Sequence, residues 1–297
     1  MNNTPNVSFD HAEADALRAS IDRAIVDGNL NRHDQKLIGQ MIECLGDTRG
    51  LTRLYYAETL GKVIGKPAVE QLINALLNHN NVVVRRAAGK TLTLIEDPQA
   101  VPHLIRALLN DEDTVVQASA IGALARLGEA AVDPLLATLA SPDSTESNKG
   151  HAAWALAFIG AKAKDKLYAA YDSDSAEVRA AVVGAIAKVA EENRDDTQAS
   201  NLLVESLEDT AANVRSEAAA VLGNLKYQPA IPKLTQLLKH PEAETRKSAA
   251  LSLMKIGDRH SIEPLQIALN RETESGVKKA IALAISLLER QTEADDW

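Results

Sequence analysis

The sequence predicts an all-α fold in which short helical hairpins repeat along the chain and stack into an α-solenoid, a superhelix. Two observations predict it: the composition favours closely packed helices, and a short motif recurs at intervals of about 32 residues. About eight hairpins behind an N-terminal helical cap account for both observations, because each hairpin covers the apolar face that its neighbour would leave exposed.

The composition is the first of these observations. The 297 residues are 45% hydrophobic but only 3% aromatic, and alanine and leucine are abundant. Small and unbranched side chains suit tight contacts between helices and do not suit a β-rich core. Since solenoids of this length form one continuous unit, we expect one array rather than two globular domains.

The repeat is clearest in residues 84–104. There the step V-R-x-x-A, with Val84 first, is followed by Asp97 and then by the pattern A-V-P-x-L. This order predicts a helix, a short turn and a second helix with Pro102 in its first turn, where the missing N–H costs nothing. The step begins at eight positions: Thr52, Val84, Val116, Asn148, Val178, Val214, Thr245 and Val277.

The repeats are expected to fill residues 47–290. Before them, residues 1–46 contain a polar tail and two helical patterns that we interpret as the cap, because an end repeat has no neighbour beyond it. After them, residues 291–297 form an acidic tail. The longest interval between repeats contains the polar residues 191–196, which predict a longer loop between helices.

Several classes of function are excluded by composition and motifs. A net charge of -9 provides no global positive field for nucleic acid or an anionic membrane. The single cysteine, Cys44, excludes an internal disulfide and a cysteine-cluster metal site, and we interpret it as a buried apolar residue. No signal peptide or membrane span is evident, so we expect a soluble, cytoplasmic protein. The common catalytic motifs, including the P-loop, are missing from the sequence.

One column of the repeat is basic in seven of its eight copies. The residue after each starting position is, in order, Arg53, Arg85, Gln117, Lys149, Arg179, Arg215, Arg246 and Lys278. These side chains could cap carbonyl groups or pair with acids of neighbouring turns and so form a structural ladder. Alternatively, some of the guanidinium groups could bind carboxylates of a ligand or an acidic partner.

A second column identifies a candidate ligand site. In HEAT-like stacks the second helix of each pair lines the concave side, and by analogy the V-R-x-x-A helices do so here. Most side chains on that side are small, but the fourth repeat has His151 and Trp154, where the neighbouring repeats have Gly122 and Gly184 at the tryptophan position. An aromatic wall beside a notch, with flanking cations, suits a flat, anionic, conjugated ligand. Alternatively, both side chains fill space in the stack.

The segment T-R-L-Y-Y-A-E-T-L-G-K, residues 52–62, resembles a segment of the form L-R-Y-Y-A-A-W-W-L-G-K in cyanobacterial phycobilin lyases of the E/F type. That HEAT-like repeat family includes NblB-like relatives, and its repeat patterns are similar to those of this chain over about residues 47–290. The chain departs from the E-type pattern at Glu58 and Thr59, where that pattern has two tryptophans.

The resemblance implies a phycobilin:phycobiliprotein lyase, which forms or cleaves a C–S bond between an open-chain tetrapyrrole and a cysteine of a phycobiliprotein subunit. Phycocyanobilin or phycoerythrobilin would be the substrate rather than a permanently bound cofactor. The phycobiliprotein subunit would be the partner, and a homo- or heterodimer is compatible with the family. Tyr55 and Tyr56 match the tyrosine pair of the family.

If the chain handles a bilin as the resemblance implies, roles in the reaction can be assigned to individual residues. We expect His151 or Tyr55 to supply the proton that thiol addition requires. Basic side chains would hold the two propionates of the bilin, and aromatic side chains would stack on its rings. The predicted ligand-binding residues are Tyr56, Arg85, Arg86, Lys90, Lys149 and Trp154.

Two alternatives of other classes remain at this point. One is a non-catalytic HEAT-repeat scaffold or chaperone that holds a protein partner in its concave groove. The other is a DNA-processing HEAT-like enzyme, which the acidic charge balance disfavours. The direction of the reaction, attachment or detachment, is open.

Overall fold

In the computed structural model, every regular element of the described residues, 10–193 and 197–295, is helical. The prediction of an all-α chain is thereby confirmed. By their internal contacts the residues divide into two compact units after residue 135, and each unit is described by itself. Parts of three predicted segments lie outside the described residues: the start of the polar tail, residues 194–196 of the polar loop, and the last two residues of the acidic tail.

The first unit contains the cap helix and three complete hairpins. Its helices are α1 (His11–Val26), α2 (Gln35–Glu43), α3 (Gly50–Glu58), α4 (Val69–Asn78), α5 (Val82–Ile95), α6 (Val101–Asn110) and α7 (Thr114–Leu127). A π-helical turn, Thr59–Ile64, continues α3. Only α1 is a separate cap, because α2, the second pattern predicted as cap, is the first helix of the first hairpin.

The second unit contains four complete hairpins and the second helix of another. The helix α8 (Glu129–Ala140) crosses the division between the units. Its successors are α9 (Glu146–Ile159), α10 (Lys164–Ala169), α11 (Ala176–Glu192), α12 (Thr197–Glu205), α13 (Ala212–Asn224), α14 (Ile231–Leu237), α15 (Ala243–Ile256), α16 (Ile262–Arg271) and α17 (Ser275–Asp295). The backbone of α17 remains helical through most of the predicted acidic tail. In the part of the chain that the structure describes, no helix is long and apolar enough to cross a membrane.

Local sequence explains where the helices begin and end. Asp113 caps α7 by accepting hydrogen bonds from the N–H groups of the next turn, and Pro102 lies in the first turn of α6 as predicted. After most second helices the chain turns through a residue with positive φ, as at Gly128. Glu96 and Lys226 also have positive φ, 54° and 51°, without being glycine, and Glu96 is in the left-handed helical conformation with ψ of 37°.

The second helices of the hairpins pack side by side in each unit. In the first unit α5 contacts both α3 and α7, and in the second unit α9, α11, α13, α15 and α17 follow one another. The first helices contact one another less extensively than the second helices do. The second helices therefore occupy the inner, tighter side of each stack, which is the arrangement predicted for the V-R-x-x-A helices.

An arginine ladder links successive turns of the second unit. Arg179 donates to the carbonyl oxygen of Ser173 in its own turn at 2.8 Å, and its Nε and Nη2 donate to the two carboxylate oxygens of Asp209 in the next turn, both at 2.8 Å. Arg246 donates in the same way to the carbonyl oxygen of His240 at 2.9 Å and to Glu272 at 2.7 and 2.8 Å. The guanidinium fork thus fixes each turn against the next.

The ladder continues with variations in other repeats. Arg215 donates to the carbonyl oxygen of Asp209 at 2.6 Å and to the carboxylate of Glu242. In the first unit, Arg85 donates to Asp111 at 2.9 and 3.2 Å. Gln117 keeps the bond to the carbonyl of its own turn at 2.8 Å, but its amide cannot form an ion pair. The ladder interpretation of the basic column is therefore correct for these arginines.

The ion pair between Arg246 and Glu272, one rung of the arginine ladder, should make the free energy of unfolding depend on pH. The guanidinium lowers the pKa of Glu272 to about 2, and the Glu272 side chain is only 3% exposed. We expect Glu272→Gln to lower the free energy of unfolding at pH 7 by about 1–3 kcal/mol, because the buried guanidinium loses its charged partner. A carboxyl with a depressed pKa contributes stability above its ordinary value of 4.5, and that stability is lost as the pH falls from 4.5 towards 2.

Urea denaturation at a series of pH values from 7 downwards tests this expectation. The wild-type protein and Glu272→Gln should converge in stability as the pH approaches 2, whereas the exposed neighbour variant Glu274→Gln should follow the wild type throughout. A difference between Glu272→Gln and the wild type that stays constant with pH would contradict the role of the ion pair.

Candidate ligand-binding surface

An exposed aromatic pair lies on the inner side of the second unit. Trp154 and Phe158 are one turn apart on α9, with ring centroids 5.6 Å apart and an angle of 79° between the ring planes. Trp154 is 51% exposed and Phe158 is 56% exposed, although they are among the largest apolar side chains of the chain. Packing within the stack does not cover these rings, so they form a surface on which a flat ligand can lie.

The neighbouring helices supply a notch and a carboxyl group. Gly184 on α11 occupies the repeat position that Trp154 occupies on α9. A Cβ atom at Gly184 would be 3.0 Å from Oε1 of Glu217, so the glutamate side chain of α13 extends across the glycine. We call these residues, Trp154, Phe158, Gly184 and Glu217, the α9–α13 surface.

Glu217 has an unusual environment for a carboxyl group. Burial raises its pKa, and among the described residues no hydrogen bond or ion pair compensates the desolvation. An uncompensated, partly buried carboxyl is costly to the fold, and such groups are concentrated at functional sites. The sequence contains a signal for this residue. At the repeat position of His151, where most repeats have a small or polar residue, Glu217 is the one acid.

His151 lies one turn before Trp154 on α9, as predicted. Its side chain is half-buried, and its Nδ1 atom is buried without a hydrogen-bond partner among the described residues. Positions three apart on a helix share a face, so the histidine adjoins the aromatic pair. The imidazole is thus the polar group nearest in sequence to the exposed rings.

Two lysines belong to the helices of this surface, the predicted Lys149 on α9 and Lys188 on α11. Lys149 belongs to the ladder column, and its Nζ lies 3.9 Å from a carboxylate oxygen of Glu146. Lys188 follows Gly184 by one turn on α11 and is exposed, with its Nζ 2.5 Å from the exposed carboxylate of Glu191. Lys188 lies four residues after Gly184, and residues at this spacing share one face of a helix, so the sequence alone could have indicated Lys188 as a cation of this surface.

Tyr55 lies in the first unit and is engaged by the cap helix. The guanidinium carbon of Arg18 lies 4.4 Å from the ring centroid, and the Tyr55 hydroxyl donates to Asp22 at 2.7 Å. Burial and the Asp22 carboxylate raise the pKa of Tyr55 to about 12. The phenolic proton is therefore held by Asp22, which is unfavourable for the predicted role of Tyr55 as a proton donor.

Tyr56 is a core residue, in contrast to its predicted role in ligand binding. Its side chain is fully buried, and its hydroxyl donates to the carbonyl oxygen of Ala14 in α1 at 2.5 Å. Burial also raises its pKa. Cys44 is buried as predicted, and the same desolvation raises the pKa of its thiol to about 11. Tyr56 thus joins the cap to the first hairpin and has no surface to offer a ligand.

The predicted cations of the first unit are mostly paired within the protein. Arg85 is a rung of the ladder and only 12% of its side chain is exposed. Arg86 donates to both carboxylate oxygens of Asp113 at 2.9 and 2.5 Å, and this pairing lowers the pKa of Asp113 to about 2. Lys90 is exposed on α5. The predicted site residues therefore form two groups, one in each unit, and Arg85 and Arg86 have structural partners.

The chain is similar to a family of known repeats and to a protein of bilin biosynthesis. A family model described as HEAT repeats matches residues 38–125, 69–147, 104–187 and 200–286. The chain is 39% identical over 274 residues to the bilin biosynthesis protein MpeU of Synechococcus sp. (strain WH8020), covering 92% of this chain and 91% of that protein.

Two solved structures are also similar. One is the complex of CpcE and CpcF of phycocyanin lyase from Nostoc sp. PCC7120, with 22% identity, a TM-score of 0.33 and coverage of 84% of this chain and 93% of that chain. The other is human deoxyhypusine hydroxylase, with 20% identity, a TM-score of 0.39 and coverage of 86% and 96%.

The two adjacent tyrosines predict unequal effects on stability. We expect Tyr56→Phe to lower the free energy of unfolding by about 1 kcal/mol, because it removes a fully buried hydrogen bond between α1 and α3. Tyr55→Phe should cost less, since the Asp22 carboxylate that it leaves is half exposed and can be hydrated. Urea denaturation measures both, and amide hydrogen exchange in α1 should accelerate more in Tyr56→Phe. Equal effects would contradict the assignment of Tyr56 as the buried anchor.

Proposed function

The chain belongs to the HEAT-repeat family, and it is 39% identical to a bilin biosynthesis protein over most of its length. We propose that it binds an open-chain tetrapyrrole on its α9–α13 surface. On this proposal the protein attaches the bilin to a cysteine of a phycobiliprotein subunit, or detaches it. The observation that carries the proposal is the exposed Trp154–Phe158 pair on the inner side of a stack whose other inner side chains are mostly small.

The shape of the surface suits a flat conjugated ligand. Trp154 and Phe158 meet edge to face, so a planar ring system can stack on the face of one aromatic ring beside the other. Gly184 has no side chain to stand between the indole and Glu217, whose Oε1 lies 3.0 Å from where a Cβ atom of Gly184 would be, so a ring beyond the indole would meet the Glu217 carboxyl. A bilin, bound as substrate, would run from α9 towards α13.

Polar groups of the surface match the chemistry of a bilin. Its pyrrole N–H groups can donate hydrogen bonds to the Glu217 carboxyl. These bonds would offset the desolvation of that carboxyl in the folded protein. One of its two propionates can replace Glu191 as the partner of Lys188. That exchange costs little, because an exposed ion pair contributes about 0–1 kcal/mol. The ladder arginines are not needed for this mode of binding.

The reaction requires orientation and the transfer of one proton. In attachment, the client sulfur forms a bond to an exocyclic carbon of the bilin, and the thiol proton ends on the conjugated system. Detachment is the reverse. His151 is the candidate to move this proton, because it adjoins the aromatic pair and one of its ring nitrogens has no protein partner among the described residues. The enzyme's own Cys44 takes no part, since it is buried.

A binding scaffold without chemistry is the second candidate, and an apolar patch on α3 favours it. Leu51 is 80% exposed and Leu54 is 53% exposed, and they lie three residues apart on one face of the helix. Exposed leucines on an inner helix suit contact with a protein. In a lyase this patch would hold the phycobiliprotein client, whereas in a scaffold it would be the whole function.

Co-expression separates these possibilities. The protein is produced with a phycocyanobilin or phycoerythrobilin pathway, with and without each phycobiliprotein subunit, and absorbance is recorded on the purified protein and on the client. We expect a coloured protein and a change in the covalent chromophore of one client. A colourless protein that binds a client but leaves its spectrum unchanged would favour the scaffold.

We expect Trp154→Ala to bind bilin roughly tenfold more weakly, because it removes the larger stacking surface. Helical content should not change, since half of the indole is already in water. Trp154→Phe should retain most of the affinity, and Leu283→Ala, which removes a 49% exposed apolar side chain from α17 in the same unit, should have no effect. Absorbance titration measures all three. Unchanged binding by Trp154→Ala would mean that the indole is not part of the site.

We expect Glu217→Gln to separate stability from function. The raised pKa means that the unfolded chain ionises before the folded one, so this carboxyl costs stability as the pH rises above its ordinary value of 4.5. Glu217→Gln should therefore be at least as stable as the wild type at pH 7, as measured by urea denaturation. Bilin retention should nevertheless fall, because the amide cannot match a carboxylate as an acceptor. A variant that is less stable and binds bilin normally would contradict both expectations.

A further inference from the structure

A cavity of about 590 Å³ lies in the second unit between the first helices α14 and α16, and it is separate in position from the α9–α13 surface. A cavity of this size accommodates a small molecule. It is lined by residues from the end of α14 and the turn that follows it, and by residues of α16 from Glu263 to Arg271.

The lining of this cavity is apolar on one side. Leu238, Pro264, Ile267 and Ala268 contribute to it, and Ile267 is 44% exposed although it is a large aliphatic residue. Covering this side chain with a ligand would remove apolar surface from water, which is favourable. The cavity therefore suits a ligand with an apolar body.

The charged side chains of the cavity are of two kinds. Arg246 and Glu272 satisfy each other in the ladder. Lys239 and Arg271 are exposed at the cavity, and neither forms an ion pair with another of the described residues. Glu263 is the remaining acid, so the unpaired groups are two cations against one anion. This excess of positive charge, in a chain with a net charge of -9, favours an anionic group on the ligand.

His240 adds a neutral hydrogen-bond donor. Its Nδ1 accepts from the backbone N–H of Glu242 at 3.1 Å, so the proton of the neutral ring is on Nε2. Desolvation and the charges of Arg215 and Arg246 lower the pKa of His240, while Glu242 opposes this effect. The imidazole lines the cavity as a neutral group that can donate one hydrogen bond.

The equivalent groove of an earlier repeat is different. Between α4 and α6 a groove of about 480 Å³ has the same ladder rung, Arg85 with Asp111, but polar walls. Alignment of α16 with α6 places Arg106 at the position of Ile267 and Asn110 at the position of Arg271. The apolar wall is thus a property of the later repeat and not of the repeat architecture, whereas the earlier groove also contains a cation, Arg106.

We propose that the cavity between α14 and α16 binds a small amphipathic carboxylate. The apolar body of the ligand lies against Ile267 and Pro264, and its carboxylate pairs with Arg271 and Lys239. The Arg246–Glu272 rung remains intact beneath it. This inference is independent of the proposed bilin-binding function.

Isothermal titration of the full chain with sodium octanoate tests the proposal. We expect one octanoate per chain, with affinity rising roughly threefold per methylene from butanoate to octanoate. Octan-1-ol should bind more weakly, because it lacks the charge. Ile267→Arg, which copies Arg106 of the polar groove, should abolish binding. The double variant Lys239→Asn/Arg271→Asn copies two asparagines of the polar groove: Asn78, which precedes His79 as Lys239 precedes His240, and Asn110. It should weaken octanoate binding roughly tenfold and leave octan-1-ol binding unchanged.

Two controls keep the result interpretable. Thermal unfolding followed by circular dichroism establishes that each variant is folded, and Arg106→Ala, in the polar groove, should bind octanoate as the wild type does. The proposal is overturned if octanoate does not bind, if several molecules bind with equal affinity, or if Ile267→Arg binds it normally. Equal affinity for octanoate and octan-1-ol would overturn the anionic part of the assignment.

Discussion

The rest of the structure depends on the arginine in the first turn of most second helices. This side chain donates to a carbonyl of its own turn and, where the ladder is complete, to a carboxylate of the next turn, as Arg179 does with Asp209. One guanidinium therefore closes a turn and fixes the neighbouring hairpin, and its planar fork allows little variation in that geometry. Apolar packing between alanine-rich helices supplies the stability of the stack, and the ladder sets its spacing.

Because the ladder lies at the turns, residues farther along the second helices can change without breaking the stack. Trp154 replaces a small residue on α9, and Glu217 extends across Gly184 from α13. The carboxyl of Glu217 has no partner among the described residues and its pKa is raised by burial, so it weakens the fold that contains it. Such carboxyl groups are concentrated at functional sites, which is the reason for including Glu217 in the proposed bilin-binding surface.

The same ladder rung also lies beside two grooves of different character. Arg85 with Asp111 adjoins polar walls between α4 and α6, whereas Arg246 with Glu272 adjoins an apolar wall between α14 and α16. The difference comes from a few side chains, such as Ile267 where the earlier repeat has Arg106. A repeat architecture can thus carry distinct sites while its structural contacts stay the same.

The sequence by itself determined the helical class and the number of hairpins, because both recur with the repeat and are encoded by local spacing. It also showed the basic column, but it left the role of that column open between a structural ladder and ligand binding. It also predicted the aromatic residue of the α9–α13 surface. Tertiary structure alone decided which aromatic side chains are accessible: Tyr56 is buried because α1 covers the first hairpin, whereas Trp154 is half exposed. It likewise decided that Arg85 is paired and that Glu217 lies across Gly184, since both contacts join residues of different repeats. Burial and pairing depend on what a neighbouring helix presents, and a pattern within one repeat does not contain that information.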